Sequence, residues 1–391
     1  MKRTTRRTVT WAAVLLLACV AYVFLSSVDA VNVRTWNIDA GSGALPPELA
    51  DDELAVPWLR DRPSFGIAFS GGGTRSAAAS LGELRALHDL GWLRRARYIS
   101  ANSGGSWVTV PYTYLPLAID EERFLGEYIP PEELDDHSLS PSEIDPLAFG
   151  TAIHDASIVD EILELGRGDE AYSDIVASIF LQPFRLHDNE KFFTFHQGAL
   201  ESVLAANPSL DQDDFHIVER DDRPYLIITG VVIGQQMSED PEEYFPIEMT
   251  PLYTGIRGRF AFEKDGETVV VGGGYVESLG YDSYEPQDQA IDGRWQVRLT
   301  GLLSRGDKPI GDRYRFTLSD VIGATSAAPL ATLSRSSVPN ILFPEFRHWA
   351  VDREAIDRSD GSVRRRADEY QHGDGADMDN LAPVSYTHLT L

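Results

Sequence analysis

Two hydrophobic patterns alternate along the chain. Short runs of β-branched and aromatic residues read as strands, and stretches with an apolar residue every three or four positions read as helices. Gly66-Ile67-Ala68-Phe69-Ser70 is a buried strand in this reading, and the glycine loop Gly71-Gly72-Gly73-Thr74-Arg75 follows it. From Ser76 to Leu90, apolar residues fall at Ala77, Leu81, Leu84 and Leu87, and Gly91 closes the run. That pattern predicts an amphipathic helix with a glycine at its C-terminal cap. A second strand, Tyr98-Ile99-Ser100-Ala101, stops abruptly at Asn102-Ser103-Gly104-Gly105-Ser106-Trp107. Strands resume at Tyr225–Val232, Arg259–Phe262 and Thr268–Val271, and Leu318–Pro329 predicts a helix of small residues running close to the sheet.

The remaining segments are less regular. In residues 1–30, Lys2, Arg3, Arg6 and Arg7 precede the apolar run Trp11–Leu25, and Val28-Asp29-Ala30 has the form of a small-residue cleavage site. This is the pattern of a signal peptide or N-terminal membrane anchor, so the chain is expected to be exported to the cell envelope, anchored or secreted. Residues 31–62 read as a polar linker, and residues 63–383 as the folded domain. Inside that domain, 117–215 is acidic and broken by Pro130-Pro131, Pro141 and Pro146, with helical stretches at Ile158–Leu165 and Phe195–Ala206. It reads as an insertion or lid. Val384 to Leu391 carry no further element and read as a non-native tail.

Composition narrows the function classes. Among 391 residues, 61 Asp and Glu face 34 Lys and Arg, for a formal net charge of −27. Such a surface disfavours nucleic acid and is repelled by anionic headgroups, so access to a membrane would fall to the N-terminal segment. Cys19 is the single cysteine and lies in the apolar run, which leaves the domain without a disulfide or a cysteine metal site. Nothing in the sequence has metal-ligand spacing, and no cofactor is expected.

Three pieces carry chemistry. A serine on a tight strand-to-helix turn projects its hydroxyl above the sheet edge, where backbone N–H groups can face an oxyanion. The pattern here is A-x-S-x-G, with Ala101 in the first small position. A glycine loop opening a helix presents free N–H groups and a positive dipole end to an anion. It lacks the lysine of a P-loop, and Ser76 stands where a dinucleotide fingerprint needs glycine. The third piece is Asp374-Gly375-Ala376, far along the chain.

Taken in order, Ser70–Arg75, Ala101–Trp107, Ser326-Ala327-Ala328-Pro329 and Asp374-Gly375-Ala376 resemble the patatin-like acyl hydrolases. The S-G-G-x-W arrangement and Glu248-Met249-Thr250-Pro251 are closer to the cytosolic phospholipase A branch. The resemblance spans Phe65 to Leu381, loosely in the middle, and Ala101 and Ala376 stand where many members carry glycine. It implies an α/β fold with a central, mostly parallel sheet flanked by helices. It also implies a Ser-Asp dyad, with Ser103 the nucleophile and Asp374 the base, acting on phospholipid or lysophospholipid esters through an acyl-enzyme. Gly72 and Gly73 would supply the oxyanion hole, and Arg75 would contact the substrate phosphate. Two other readings use the same residues. One is a Ser-His-Asp esterase employing His372, His348 or His154. The other is a non-catalytic lipid-binding or envelope protein on the same fold. A transacylase would share the acyl-enzyme and differ only in its acceptor.

Overall fold

The computed structural model describes residues 30–38, 56–133, 135, 145–155, 170–233, 244–264, 267–286, 292–299, 315–327, 344–351, 363–364 and 367–382. The apolar N-terminal segment with Cys19, the helix expected at Ile158–Leu165, Ala328-Pro329 and the tail at 384–391 lie outside them. Among the described residues, no helix is long and apolar enough to cross a membrane.

Strands β1 (Ala30–Val33) and β2 (Thr35–Asn37) come first, followed by the one-turn helix α1 (Pro57–Arg60). Then β3 (Gly66–Phe69) enters α2 (Gly73–Asp89) through the glycine loop, and β4 (Tyr98–Ala101) enters α3 (Ser103–Thr113). Helices α4 (Glu121–Leu125), α5 (Phe149–Asp155) and α6 (Glu170–Phe180) follow. After them come the short strand β5 (Phe192–Phe193), helix α7 (Gln197–Ala206) and strand β6 (Phe215–His216). The long strands are β7 (Tyr225–Ile233), β8 (Tyr244–Met249), β9 (Tyr253–Lys264) and β10 (Glu267–Glu277). The chain closes with β11 (Trp295–Arg298), α8 (Leu318–Ala324), β12 (Glu345–His348), β13 (Val363–Arg364), β14 (Asp368–Asp374) and α9 (Ala376–Asp379).

Among the described residues the main sheet has ten strands, and it is mixed rather than mostly parallel. Strands β3, β4 and β7 are parallel, because helices carry the chain back between them. From β7 onward, each of the successive strands β8, β9 and β10 pairs antiparallel with the one before it. β14 also runs antiparallel to β7. The expected mostly parallel sheet is not found: among the described residues of this sheet β3–β4, β4–β7 and β10–β13 pair parallel and the other pairs are antiparallel.

Strand β7 is buried at every residue and organises the rest. One of its edges takes β8. The other is divided, with β4 pairing Tyr225 to Ile228 and β14 pairing Gly230 to Val232. Because β4 runs with β7 and β14 runs against it, the C-terminal ends of β4 and β14 point at each other. Ala101 stops opposite Ile228 and Asp374 stops opposite Gly230. Two positions along a strand span about 7 Å. Thr229 lies between them.

Two other expectations change. Part of the stretch read as a linker is sheet: β1 pairs β11 and β2 pairs β10, and between them Arg34 meets the buried Glu277 at 3.1 Å. The described part of the insertion packs into the core. Phe180 stacks on Trp107 of α3 at 4.7 Å, and Phe124, Phe149 and Phe184 are fully buried around it. These rings form one side of the core behind α3.

Candidate active site

Ser103 is the first residue of α3 and has φ 48°, in the left-handed region where a non-glycine residue is strained. The strain has a structural cause, since the chain must turn from β4 into a helix within two residues. The glycines after Ser103 let that helix sit against the sheet. A Cβ at Gly104 would lie 2.0 Å from the carbonyl oxygen of Gly73, and one at Gly105 would lie 2.8 Å from that of Phe69. The start of α3 is therefore in backbone contact with the glycine loop.

That loop is built for the approach. Gly72 (φ 139°) caps α2 and Gly73 (φ 65°) begins it, conformations that residues with a side chain rarely adopt. Being at a helix start, their N–H groups have no intrahelical acceptor. The structure thus brings the glycine loop to the turn that carries Ser103. Arg75 is exposed on the first turn of α2, with no acidic partner among the described residues.

Asp374 ends β14 and is 2% exposed. Its Oδ1 accepts the Ala376 N–H at 2.8 Å, and the Ser103 side chain is near enough to favour the ionised carboxylate. Burial pushes the Asp374 pKa up to about 6, and Ser103 and the Ala376 N–H hold it back from rising further. At neutral pH the carboxylate is ionised yet close enough to titration to take up a proton.

Of the three histidines weighed as alternative bases, two are buried with ring nitrogens engaged and one is exposed. His372 is buried, with Nδ1 on the carbonyl of Tyr370 and Nε2 on the hydroxyl of Tyr281, each at 2.8 Å. Burial lowers its pKa to about 4. His348 Nε2 accepts the Gly272 N–H at 3.2 Å, and burial lowers its pKa to about 3. His154 is exposed on α5.

Several contacts that hold the site together are not signalled by the motifs themselves. Asn102 Nδ2 donates to the carbonyl of Asp379, the Gly71 N–H donates to that of Asn380 at 3.0 Å, and Ser100 Oγ donates to that of Ala382 at 2.5 Å. Three bonds thus dock the segment after Asp374 onto β4 and the glycine loop. In the sequence, Asn102 and Ser100 look like ordinary turn and strand residues, and only their nearness to Ser103 marks them. The buried hydroxyl of Tyr172 on α6 donates to the Ser326 carbonyl. Burial and the nearby Asp374 charge raise its pKa.

Among the described residues, His88, Asp89 and Glu122 have side chains close enough to share a metal ion. They lie at the far end of α2 from the glycine loop. Arg85 reaches two of them, at 3.7 Å from Asp89 and 3.6 Å from Glu122.

No protein-family model matches the chain. A Saccharomyces cerevisiae protein named "Putative meiotic phospholipase SPO1" is 44% identical over 50 residues, which is 13% of this chain and 8% of that protein. Human GIVD cytosolic phospholipase A2 aligns over 86% of this chain and 44% of its own, at 15% identity and a TM-score of 0.38. VipD from Legionella pneumophila aligns over 48% of this chain and 40% of its own, at 13% identity and a TM-score of 0.21. Both structural likenesses are loose, and this chain spans less than half the length of each of these proteins. With its ordered motifs and the match to the yeast protein, the chain is similar to the patatin-like and cytosolic phospholipase A-type acyl hydrolases.

Proposed function

We propose that this chain is a serine acyl hydrolase that cleaves phospholipid or lysophospholipid esters, at the cell envelope to which its N-terminal segment points. The observation that supports the reading is a buried Ser103 at a strained turn beside a glycine loop, with the buried Asp374 at the end of the strand that faces it. In this reading Ser103 Oγ attacks the ester carbonyl carbon while the Asp374 carboxylate takes its proton. The oxyanion that forms accepts hydrogen bonds from the N–H groups of Gly72 and Gly73. As the carbonyl re-forms, the alcohol leaves with the proton from Asp374 and the acyl group stays on Ser103. Asp374 then deprotonates a water that attacks the acyl-enzyme, releasing the fatty acid and restoring the hydroxyl. Only the ionised carboxylate can begin this cycle, so kcat/KM rises with pH and is half-maximal near the Asp374 pKa of about 6.

The test uses the full chain, mixed phospholipid micelles and a serine-reactive fluorophosphonate. The wild type is expected to release fatty acid and to take one label, on Ser103. Ser103→Ala is expected to lose both. A well-folded wild type that does neither would support the non-catalytic binding protein.

Arg75 serves as the phosphate contact in this reading, since a guanidinium fork matches a phosphate and this one is exposed near the loop. Arg75→Ala is expected to raise KM about tenfold for a phospholipid and to leave an uncharged ester such as p-nitrophenyl butyrate unaffected. Equal effects on both substrates would remove Arg75 from headgroup recognition.

A further inference from the structure

We propose that Thr325 is a positioning residue that fixes the nucleophile turn and the base turn relative to each other. The inference rests on the reading of Ser103 and Asp374 as nucleophile and base. Thr325 is the residue after α8, whose first turn is locked by a reciprocal cap between Thr317 and Asp320. The last carbonyls of a helix have no intrahelical partner. The carbonyl of Thr325 is taken up by both halves of the site: it accepts the Ser103 N–H at 3.1 Å and the Gly375 N–H at 3.3 Å. Its hydroxyl adds a second attachment. Oγ1 shares the Ser103 N–H, also at 3.1 Å, and donates its own proton to the carbonyl of Thr229.

Thr229 is the β7 residue between the two at which β4 and β14 stop. Thr325 is fully buried and sits across that gap. The fit there is close, since a Cβ on Gly375 would lie 2.4 Å from the Thr229 carbonyl oxygen. One side chain and one carbonyl therefore connect the strained Ser103 backbone, the turn that carries Asp374 and the strand that aligns both. A displacement of the nucleophile by about 1 Å costs on the order of 10²-fold in rate. Loosening this connection should therefore lower turnover while leaving substrate binding in place.

The test compares Thr325→Val, which keeps the shape and removes the hydroxyl, with Thr325→Ser, which keeps the hydroxyl. Thr325→Ala is measured alongside, because the valine methyl near Thr229 could hinder folding. Turnover of p-nitrophenyl butyrate is normalised to sites titrated with fluorophosphonate, so that misfolded protein is not counted. Loss of the hydroxyl is expected to lower kcat per titrated site about ten- to thirtyfold, with KM within twofold, and Thr325→Ser is expected to recover most of it. A Ser103 side chain near the carboxylate favours its ionised form, so moving Ser103 away should also shift the half-maximal pH of kcat/KM upward from about 6. A purely structural role would reduce the number of titrated sites and leave both kcat per site and the pH profile unchanged. Wild-type kcat per site in a folded Thr325→Val or Thr325→Ala overturns the inference. Wild-type protein that takes no label at Ser103 overturns the underlying reading first.

Discussion

Asp374→Asn lowers ester turnover by about 10³-fold and at the same time makes the folded protein more stable above pH 6. The loss follows from the proposed role: an amide cannot take the Ser103 proton, and a general base contributes on the order of 10² to 10⁴ in rate. The gain follows from burial. The Asp374 pKa rises from 3.8 to about 6 on folding, so the folded state binds this proton more tightly than the unfolded one. Stability from that proton is fully present below about pH 4 and is lost as pH rises through about 6. At pH 8 the wild type carries a charged carboxylate in a buried place, at a cost of about 1–3 kcal/mol that the neutral amide avoids. Urea denaturation of both proteins at pH 4.5 and pH 8 is therefore expected to show a gap that opens toward high pH. A gap of the same size at both values would mean that the carboxyl is not strained by burial. Activity that survives in Asp374→Asn but dies in His372→Ala would move the base to histidine, although both nitrogens of His372 are already engaged.

Gly104→Ala is expected to cost about 10²-fold or more in kcat/KM and to slow fluorophosphonate labelling of Ser103. The new Cβ would stand 2.0 Å from the Gly73 carbonyl oxygen and 2.9 Å from the Gly73 nitrogen, both backbone atoms that cannot swing away. The start of α3 and the glycine loop must then part by about 1 Å, a shift large enough to cost the rate in that range. It also separates the nucleophile from the N–H groups that would receive the oxyanion. Gly82→Ala on α2 is the control. That position is exposed and a Cβ there meets nothing within 4 Å, so it should stabilise the helix by about 0.5–1 kcal/mol and leave turnover unchanged. Equal behaviour of the two variants would remove close backbone contact from the account of the site.

Local pattern was enough to find the first half of the fold. The strand–loop–helix unit at Gly66–Asp89 and the strand–Ser103–helix unit after it stand where periodicity puts them, because each is short-range and marked by glycine. The helix expected at Phe195–Ala206 is present as Gln197–Ala206, with His196 as its cap. Strand direction was not legible. A run such as Thr268–Val271 looks the same in either sense, and its direction is set only by pairing with the neighbouring strand. The alternation Val31-Asn32-Val33-Arg34-Thr35-Trp36 is a strand signal, and its polar, proline-containing surroundings masked it. At the site, the residue types of Ser103, Gly72, Gly73 and Asp374 were visible in motifs. Contacts made through the backbone, such as those of Thr325 and Asn380, leave almost no trace in residue identity.

The divided edge of β7 gives the site a ruler. The distance from the Ser103 turn to the Asp374 turn is counted out in peptide units along a third strand, and one residue, Thr229, separates the two stops. Side-chain packing varies continuously when neighbouring residues change, whereas a count of peptide units changes only in whole steps. The surrounding helices can therefore drift in sequence and even in length without altering that interval. A single residue gained or lost in β4, β7 or β14 would change it by a full step, and would turn every later side chain of that strand to the opposite face. The spacing of Ser103 and Asp374 thus comes with intolerance to insertion in these three strands.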